Sequence, residues 1–230
     1  SWLTHLSAAF ADPAVAASGG YVIGRNGISF EWKGRTVDRN AQTETLPMAG
    51  AEVFTSTPDR AIKTEGTNMA IRRDVLVALG GFDPAFAFYL DETDLNMRLA
   101  HAGHRTAIVP MAQVHPGFVP SDRRRRDRVP TDLTQIGASL AVYLRKHGGD
   151  LDATVHRAEQ RRRLVRHMVA GAILPSDVGR IVRTFDNGWS EGMTREFGAD
   201  SQWASPPKFR AIAPRLDGPT QVLVGRPRDM

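Results

Sequence analysis

Cysteine is absent from the 230 residues, and lysine is rare, occurring only at positions 33, 63, 146 and 208. The lack of cysteine excludes a disulfide-stapled scaffold, a zinc site built on thiolates and a cysteine nucleophile. Long apolar runs are also missing, and none approaches the roughly 18 residues that a membrane-spanning helix requires. With 41% hydrophobic and 24% charged residues, the sequence has the composition of a globular protein and is too apolar for wholesale disorder.

Positive charge comes almost entirely from arginine, because subtracting the four lysines from 30 cationic side chains leaves 26, and the formal net charge is +5. Two arginine runs, Arg123–Arg126 and Arg161–Arg163, admit three interpretations. We favour a solvated face. Contact with an anionic surface ranks second, either a lipid headgroup layer or the diphosphate of a substrate. Nucleic acid ranks last, because Asp122 and Asp127 flank the first run and no aromatic side chains for base stacking lie nearby.

The hydrophobic pattern predicts an α/β fold class with short elements. Helices are predicted at 2–10, 71–81, 91–103, 131–149 and 151–174, with one or two further helical turns from 175 onward. Strands are predicted at 14–24, 105–110 and 111–116, a hairpin over 28–37 with its turn at Lys33-Gly34, and mostly loop with one short strand over 38–63. We therefore expect an α/β body over residues 1–120 and a helical extension with an irregular tail over 121–230.

The most informative local feature is an acidic cluster, Asp91, Glu92 and Asp94, at the start of a predicted helix. The positive end of a helix dipole stabilises ionised carboxylates by roughly 0.3–1 kcal/mol each. A carboxylate held there can accept a proton from a substrate hydroxyl, which is typically worth about 10²–10⁴ in rate. Taken alone, the cluster is more simply a helix cap, because acidic residues commonly bond free amides at helix starts.

The surrounding order of residues changes that balance, because it resembles the back half of the catalytic domain of family 2 glycosyltransferases, which have the GT-A fold. The matching residues are Gly66, Asn68, Arg72, Gly80, Gly81, Phe82, Asp83, Tyr89, Asp91, Glu92, Asp94, Arg98, Gly103, Pro110 and His115. The resemblance covers about residues 1–120. It implies a partial GT-A mixed sheet with helices, followed by the helical extension.

The resemblance implies that the second member of the acidic pair is the general base, which deprotonates the acceptor hydroxyl. That position is Glu92, and Asp91 stands where Glu is usual, so the pair is inverted and either residue remains a candidate for the base. Asp94 belongs to the same catalytic set, although it is better suited to holding the loop and helix start by hydrogen bonding. Arg98 can pair with Asp94 at i, i+4 spacing, which would be a structural contact.

Substrate contacts and a metal ligand are implied in the same way. Gly66 and Asn68 would lie beside the donor sugar, where a glycine lets backbone approach a ligand closely, and Tyr89 and Arg98 complete the implied substrate-binding set. His115 matches a position that ligates a divalent metal in some GT-A enzymes. A surface histidine at a strand end is an equally good interpretation of His115.

The Asp-x-Asp motif that holds metal and diphosphate in this family is missing from the expected place. Asp150 and Asp152 have the spacing, but they follow a Gly-Gly helix end and are better explained as a helix cap. We therefore expect a fragment that lacks the N-terminal nucleotide-binding half and is inactive alone, with Mg²⁺ or Mn²⁺ bound through that half.

The implied activity is glycosyl transfer, with inversion, from a nucleotide-sugar donor to the hydroxyl of a glycan or lipid-linked acceptor in polysaccharide synthesis. The expected location is cytoplasmic, with peripheral contact at the inner face of the membrane as an option. The alternative is a non-catalytic glycan-binding or scaffolding module derived from a glycosyltransferase. The donor sugar, the acceptor and the oligomeric state are not determined by the sequence.

Overall fold

The computed structural model describes residues 1–117 and 121–198, which contain six α-helices and eight strands. The helices are α1 (Trp2–Ala8, continued by a 3₁₀ turn at Ala9–Ala11), α2 (Arg73–Ala78), α3 (Asp91–His101), α4 (Thr134–His147), α5 (Thr154–Val169) and α6 (Pro175–Gly192). The strands are β1 (Val15–Ile23), β2 (Phe30–Trp32), β3 (Arg35–Asp38), β4 (Thr43–Thr45), β5 (Glu52–Thr55), β6 (Arg60–Lys63), β7 (Met69–Ile71) and β8 (Arg105–Val114). The protein is therefore mixed α/β, as the sequence predicts.

The larger sheet is built around β1, which is buried over most of its length. Its strand order is β2-β1-β8-β5, and β7 also pairs with β1. Among the described strands of this sheet only the β1–β8 pair is parallel, while β2, β5 and β7 run antiparallel to their partners. A second, three-stranded antiparallel sheet has the order β4-β3-β6.

A bulge in β8 interrupts the parallel pair, since Gly20 pairs with Val109 but Tyr21 pairs with Gln113. Gly20 is required there, because a Cβ at this position would lie 1.8 Å from the carbonyl oxygen of Ala112. The bulge begins at a proline, which cannot donate to the ladder.

Three helices follow the sheets, and α4 and α6 pack together most closely. Three glycines make this contact possible: a Cβ at Gly137, Gly188 or Gly192 would lie about 2 Å from a carbonyl oxygen of the partner helix. Tyr143 on α4 is fully buried and donates a hydrogen bond from its hydroxyl to the carbonyl of Asp38 at 2.8 Å, which ties α4 to the end of β3. In the described ranges no helix is long and apolar enough to cross a membrane.

Two of the apolar core clusters meet at α3. Leu95 and Leu99 pack with Ala16 and Ala17 of β1. Met97, on the same helix, belongs to the largest cluster, which combines side chains of β3 and β6 with those of α4, α5 and α6. Helix α3 therefore connects the sheet to the C-terminal helices and carries the acidic cluster at its first turn.

Several expected elements are confirmed. The helices predicted at 2–10, 71–81, 91–103, 131–149 and 151–174 correspond to α1 to α5, and the strand at 14–24 corresponds to β1. Gly80 and Gly81, both with φ +77°, end the second helix as expected. Asp152 accepts a hydrogen bond from the Thr154 backbone N–H at 2.8 Å, which agrees with the cap interpretation of this residue.

Other expectations are wrong. The hairpin over 28–37 does not form, because its two strands, β2 and β3, pair in different sheets. Residues 105–116 contain one ten-residue strand with a bulge rather than two strands. Residues 38–63 contain three short strands, β4, β5 and β6, each paired with a strand distant in sequence or across a turn. The helix after 175 is α6, which is eighteen residues long rather than one or two turns.

Candidate functional site

The acidic cluster lies in the first turn of α3. The two residues before it, Tyr89 and Leu90, have φ of +76° and +65°, a left-handed conformation that non-glycine residues rarely adopt. Strain of this kind persists only where the surroundings fix the conformation. The entry into α3 is thereby fixed, and with it the positions of Asp91 and Glu92.

A lysine from the smaller sheet reaches this helix start. The register of β3 and β6 places Arg35 opposite Lys63. Lys63 Nζ donates to Glu92 Oε1 at 2.9 Å and to Thr93 Oγ1 at 3.1 Å, and it lies 3.4 Å from Glu65 Oε2. Arg35 forms an ion pair with the other oxygen of Glu65. This network holds Glu92 in one position and balances its charge.

The two adjacent carboxyl groups have opposite pKa shifts. Burial alone would raise the pKa of Glu92, but the charge of Lys63 and its hydrogen bond outweigh burial and lower it. Burial, and then a hydrogen bond with Glu92, raises the pKa of Asp91 from 3.8 to about 6. At neutral pH both groups are ionised, and Asp91 is the more basic of the two.

A cavity of about 440 Å³ opens onto Glu92. Its lining includes Trp32, Arg35, Lys63, Glu65, Tyr89, Glu92, Thr93, His156 and Glu159. The body supplies most of these side chains, while His156 and Glu159 come from α5. Asp91 does not line this cavity, so Glu92 is the carboxylate of the pair that a ligand there would meet.

Tyr89 forms part of the cavity wall. Although 38% of Tyr89 is exposed, partial burial in the cavity wall, and next the nearby charge of Glu92, raise the pKa of Tyr89 to about 12. The hydroxyl therefore keeps its proton at physiological pH and can donate a hydrogen bond. The structure thus brings Tyr89 and Glu92 to one cavity, and substrate binding by Tyr89 stays a prediction.

Asp94 points away from this cavity into a buried ionic cluster. Its carboxylate accepts from Arg98 Nε at 2.8 Å and lies 2.9 Å from both Lys146 Nζ and His147 Nε2. Burial would raise the pKa of Asp94, but the hydrogen bond with His147 and the charges of Arg98 and Lys146 lower it. Asp94 therefore joins α3 to α4, and a part for it in catalysis remains a prediction.

Arg98 belongs to the same buried ionic cluster as Asp94. Its guanidinium donates to the carbonyls of Leu79 at 2.6 Å and Gly81 at 2.7 Å, so it fastens the end of α2 to α3. The expected i, i+4 pair with Asp94 is present and structural, as the spacing indicates. A contact between Arg98 and substrate remains a prediction.

Gly66 and Asn68, two residues apart, have different surroundings. Gly66 is exposed and faces Glu92, since a Cβ on Gly66 would lie 3.7 Å from the Cβ of Glu92. Asn68 is buried: its amide nitrogen donates to the carbonyls of Tyr21 at 2.9 Å and Ala112 at 2.7 Å. Both N–H groups of Asn68 thus hold the β8 bulge, which leaves Gly66 as the better placed of the two to border a ligand.

The predicted metal ligand, His115, is exposed just after β8. Among the described residues no group of three or more His, Asp or Glu side chains is arranged to hold a metal ion. Metal binding by His115 stays a prediction.

Scans against protein-family models, curated proteins and solved structures each found no match to this chain. The chemistry of the site therefore rests on the geometry of its own residues.

Sequence reasoning missed Lys63, Glu65 and Arg35, and it missed the two residues that α5 contributes. Two signals were available. Lysine is rare in this arginine-rich sequence, and lysine and arginine are not interchangeable where a charged group must fit a confined space. Each of the four lysines, Lys63 among them, was therefore a candidate for a specific contact. On α5, His156 and Glu159 lie one turn apart, so they share a helix face.

Proposed function

We propose that the protein is a glycosyltransferase with a GT-A-like fold of the family 2 type, which moves a sugar from a nucleotide-sugar donor to an acceptor hydroxyl. The single observation that carries this proposal is the placement of Glu92 at the cavity. Glu92 is ionised, faces a cavity from the first turn of a helix, is held by Lys63, and has an exposed glycine and an aromatic wall beside it. The resemblance of residues 66–115 to that family gives the reaction type.

In the proposed step the acceptor oxygen attacks the anomeric carbon of the donor sugar. The new C–O bond forms as the bond to the nucleoside diphosphate breaks, and the diphosphate leaves with the bonding electrons. Glu92 takes the hydroxyl proton. Lys63 keeps Glu92 in place before the reaction, and Asp91 lies beside Glu92 as the more basic member of the pair.

The site's neutral donors can orient the substrate. The Tyr89 hydroxyl keeps its proton and can donate to a sugar oxygen. The exposed backbone at Gly66 lets a ligand approach Glu92 without a side chain between them. Trp32 adds an apolar face to the cavity wall, against which the C–H face of a sugar ring can pack.

The test is turnover of a panel of nucleotide sugars by the natural full-length protein, measured as release of nucleoside diphosphate and as transfer to glycan acceptors. Glu92→Gln keeps the shape of the side chain, and we expect it to lower kcat by about 10²–10⁴ with little change in donor binding. The matched control is Asp74→Asn, which removes an exposed carboxylate from the first turn of α2, away from the cavity. Its kcat should equal that of the unaltered protein.

Two results would contradict the proposal. Equal kcat values for the Glu92→Gln and Asp74→Asn variants would remove Glu92 as the base. Binding of glycans without turnover of any nucleotide sugar would instead favour the non-catalytic glycan-binding module. Circular dichroism and thermal unfolding of each variant would show that the comparison is made between folded proteins.

A further inference from the structure

A second cavity, of about 830 Å³, adjoins the cavity at Glu92. Trp32 and Tyr89 line both, so the two cavities share an aromatic wall. The second cavity is formed by the loop after β1, the segment before α4 and one face of α5. Its cationic lining consists of Arg25, Arg124, Arg128, Arg163 and Arg166.

Negative charge hardly compensates these arginines. Among the described residues that line the cavity, the one carboxylate is Glu31, whose oxygen lies 3.6 Å from Arg128 Nη2. Five guanidinium groups against one carboxylate leave a formal excess of +4 in this described part of the lining. Clefts lined by one sign of charge concentrate ligands of the opposite sign.

Burial, and then the crowding of these cations, lower the pKa values of two of the arginines. Burial, and then the charges of neighbouring arginines, lower the pKa of Arg163. Burial and the charge of Arg128 likewise lower the pKa of Arg124. Like charges held together destabilise the folded protein, whereas a bound anion would remove that repulsion.

A buried polar group on the same wall points to a ligand independently of charge. Gln160 Oε1 is buried and, within the described ranges, has no hydrogen-bond partner, although Gln160 lines this cavity. In the adjoining cavity Arg35 Nε is also buried and, among the described residues, has no hydrogen-bond partner. Buried polar groups normally have partners, so Gln160 Oε1, which can only accept, is a position for a ligand hydroxyl, and Arg35 Nε, which can only donate, is a position for a ligand oxygen.

Helix α5 aligns these groups along both cavities. His156, Gln160, Arg163 and His167 are spaced three or four residues apart and therefore share one face of the helix. His156 lines the cavity at Glu92, and the other three line the arginine cavity. A ligand long enough to occupy both would lie along this face.

We propose that the arginine cavity binds a phosphate or diphosphate group carried by the acceptor, whose sugar extends past Trp32 and Tyr89 to present a hydroxyl to Glu92. Guanidinium groups suit this ligand because their N–H pairs match two phosphate oxygens. The assignment to the acceptor rests on the proposed function. In an inverting displacement the leaving diphosphate is on the opposite face of the sugar from the base, so an anion bound beside the base belongs to the acceptor.

Calorimetric titrations at low salt test the site with three probes: inorganic pyrophosphate, farnesyl diphosphate and uridine diphosphate. The first reports the shared group, the second a lipid-linked acceptor and the third the donor. We expect pyrophosphate and farnesyl diphosphate to bind, with affinity that falls as salt rises. If replacing Arg163 weakens the binding of uridine diphosphate more than that of pyrophosphate and farnesyl diphosphate, the site belongs to the donor, and the acceptor assignment is overturned.

Two neighbouring arginines on α5 provide a matched pair of variants. Arg163 faces the cavity, while Arg162 is exposed and lies outside it. Arg163→Gln should weaken pyrophosphate binding by about ten-fold or more, since a charged hydrogen-bond donor is lost. Arg162→Gln makes the same change in net charge and should alter it by less than about two-fold. Equal weakening in both, or no binding to the unaltered protein, would overturn the proposal.

Stability separates binding from folding in this test. Without ligand, Arg163→Gln and Arg124→Gln should unfold at the same or a higher temperature than the unaltered protein, because each removes repulsion. A large loss of stability in both variants would instead assign these arginines a structural role. Glu92→Gln should bind pyrophosphate normally, so loss of transfer in that variant with binding retained distinguishes failure at the base from failure of the anion site.

Discussion

Two lysines each pair with two carboxylates inside this protein. Lys63 contacts Glu65 and Glu92, and Lys146 lies 2.6 Å from Asp83 Oδ2 and 2.9 Å from Asp94 Oδ1. In each case a compact ammonium is placed between two carboxylates, a position for which a broad planar guanidinium is poorly shaped. The choice of lysine at these positions, in a chain otherwise rich in arginine, follows from that geometry.

Asp91 offers a test of whether the site is maintained at the expense of stability. Its pKa is raised from 3.8 to about 6, so the folded state binds the proton more tightly than the unfolded state does. The ionised form therefore costs stability, and the cost appears as pH rises from about 4 to about 6. Asp91→Asn removes this cost and should raise the free energy of unfolding at pH 8 by about 1 kcal/mol after solvent screening.

The measurement is urea unfolding of the Asp91→Asn variant and the unaltered protein between pH 4 and pH 8. The gain in stability should vanish near pH 4, where the unaltered Asp91 is protonated as well. A variant that is less stable at every pH would show that Asp91 has a structural role instead.

Between α4 and α6, glycine allows a helix contact that other residues would prevent. A Cβ at Gly188 would lie 1.8 Å from the carbonyl oxygen of Thr134, whereas a Cβ at Gly179, on the same helix, would lie 3.8 Å from one nitrogen of Arg183. Gly188→Ala should therefore lower the free energy of unfolding by about 3 kcal/mol. Gly179→Ala should raise it by about 0.5–1 kcal/mol through helix propensity alone.

Chemical denaturation of these two alanine variants, followed by circular dichroism, provides the check. The substitution, the helix and the change in side-chain volume are the same, so opposite signs isolate the helix contact. Two stabilising substitutions would mean that α4 and α6 are not packed this closely in solution.

The helices could be predicted because their signals are local. Gly80-Gly81 ends α2, and the spacing of Leu95 and Leu99 marks the buried face of α3. The short strands could not be placed, since β2 and β3 are separated by two residues yet join different sheets. Which partner a strand chooses depends on tertiary packing that no short window of sequence contains.

The candidate site divides in the same way. Asp91 and Glu92 were visible as a cluster at a helix start, but Lys63, which fixes Glu92, lies 29 residues earlier and reaches it only through the fold. Arg163 was expected to face solvent with its neighbours, yet α5 turns it toward the second cavity. Sequence reasoning found the chemical groups that are consecutive and missed those brought together by packing.

The body and the C-terminal helices should unfold as one unit, because α3 belongs to both of their cores. Leu95 and Leu99 pack against β1, and Met97 packs into the cluster of the C-terminal helices. Ionic contacts of Asp94 reinforce the connection. We therefore expect a single cooperative transition in urea.

Tryptophan fluorescence can follow the two regions separately. Trp2 donates from Nε1 to Asn68 Oδ1 at 2.9 Å and reports on the sheet, while Trp189 packs against the helical cluster and reports on α6. Variants in which Trp2 or Trp189 is the single remaining tryptophan should give the same unfolding midpoint. Far-UV circular dichroism of the same variants should give that midpoint too. Met97→Ala removes a fully buried side chain and should lower the free energy of unfolding by about 2–4 kcal/mol. The midpoints reported by Trp2 and by Trp189 should therefore fall together. An earlier midpoint at Trp189 alone would mean that the helices unfold independently, and Met97 would then affect mainly that transition.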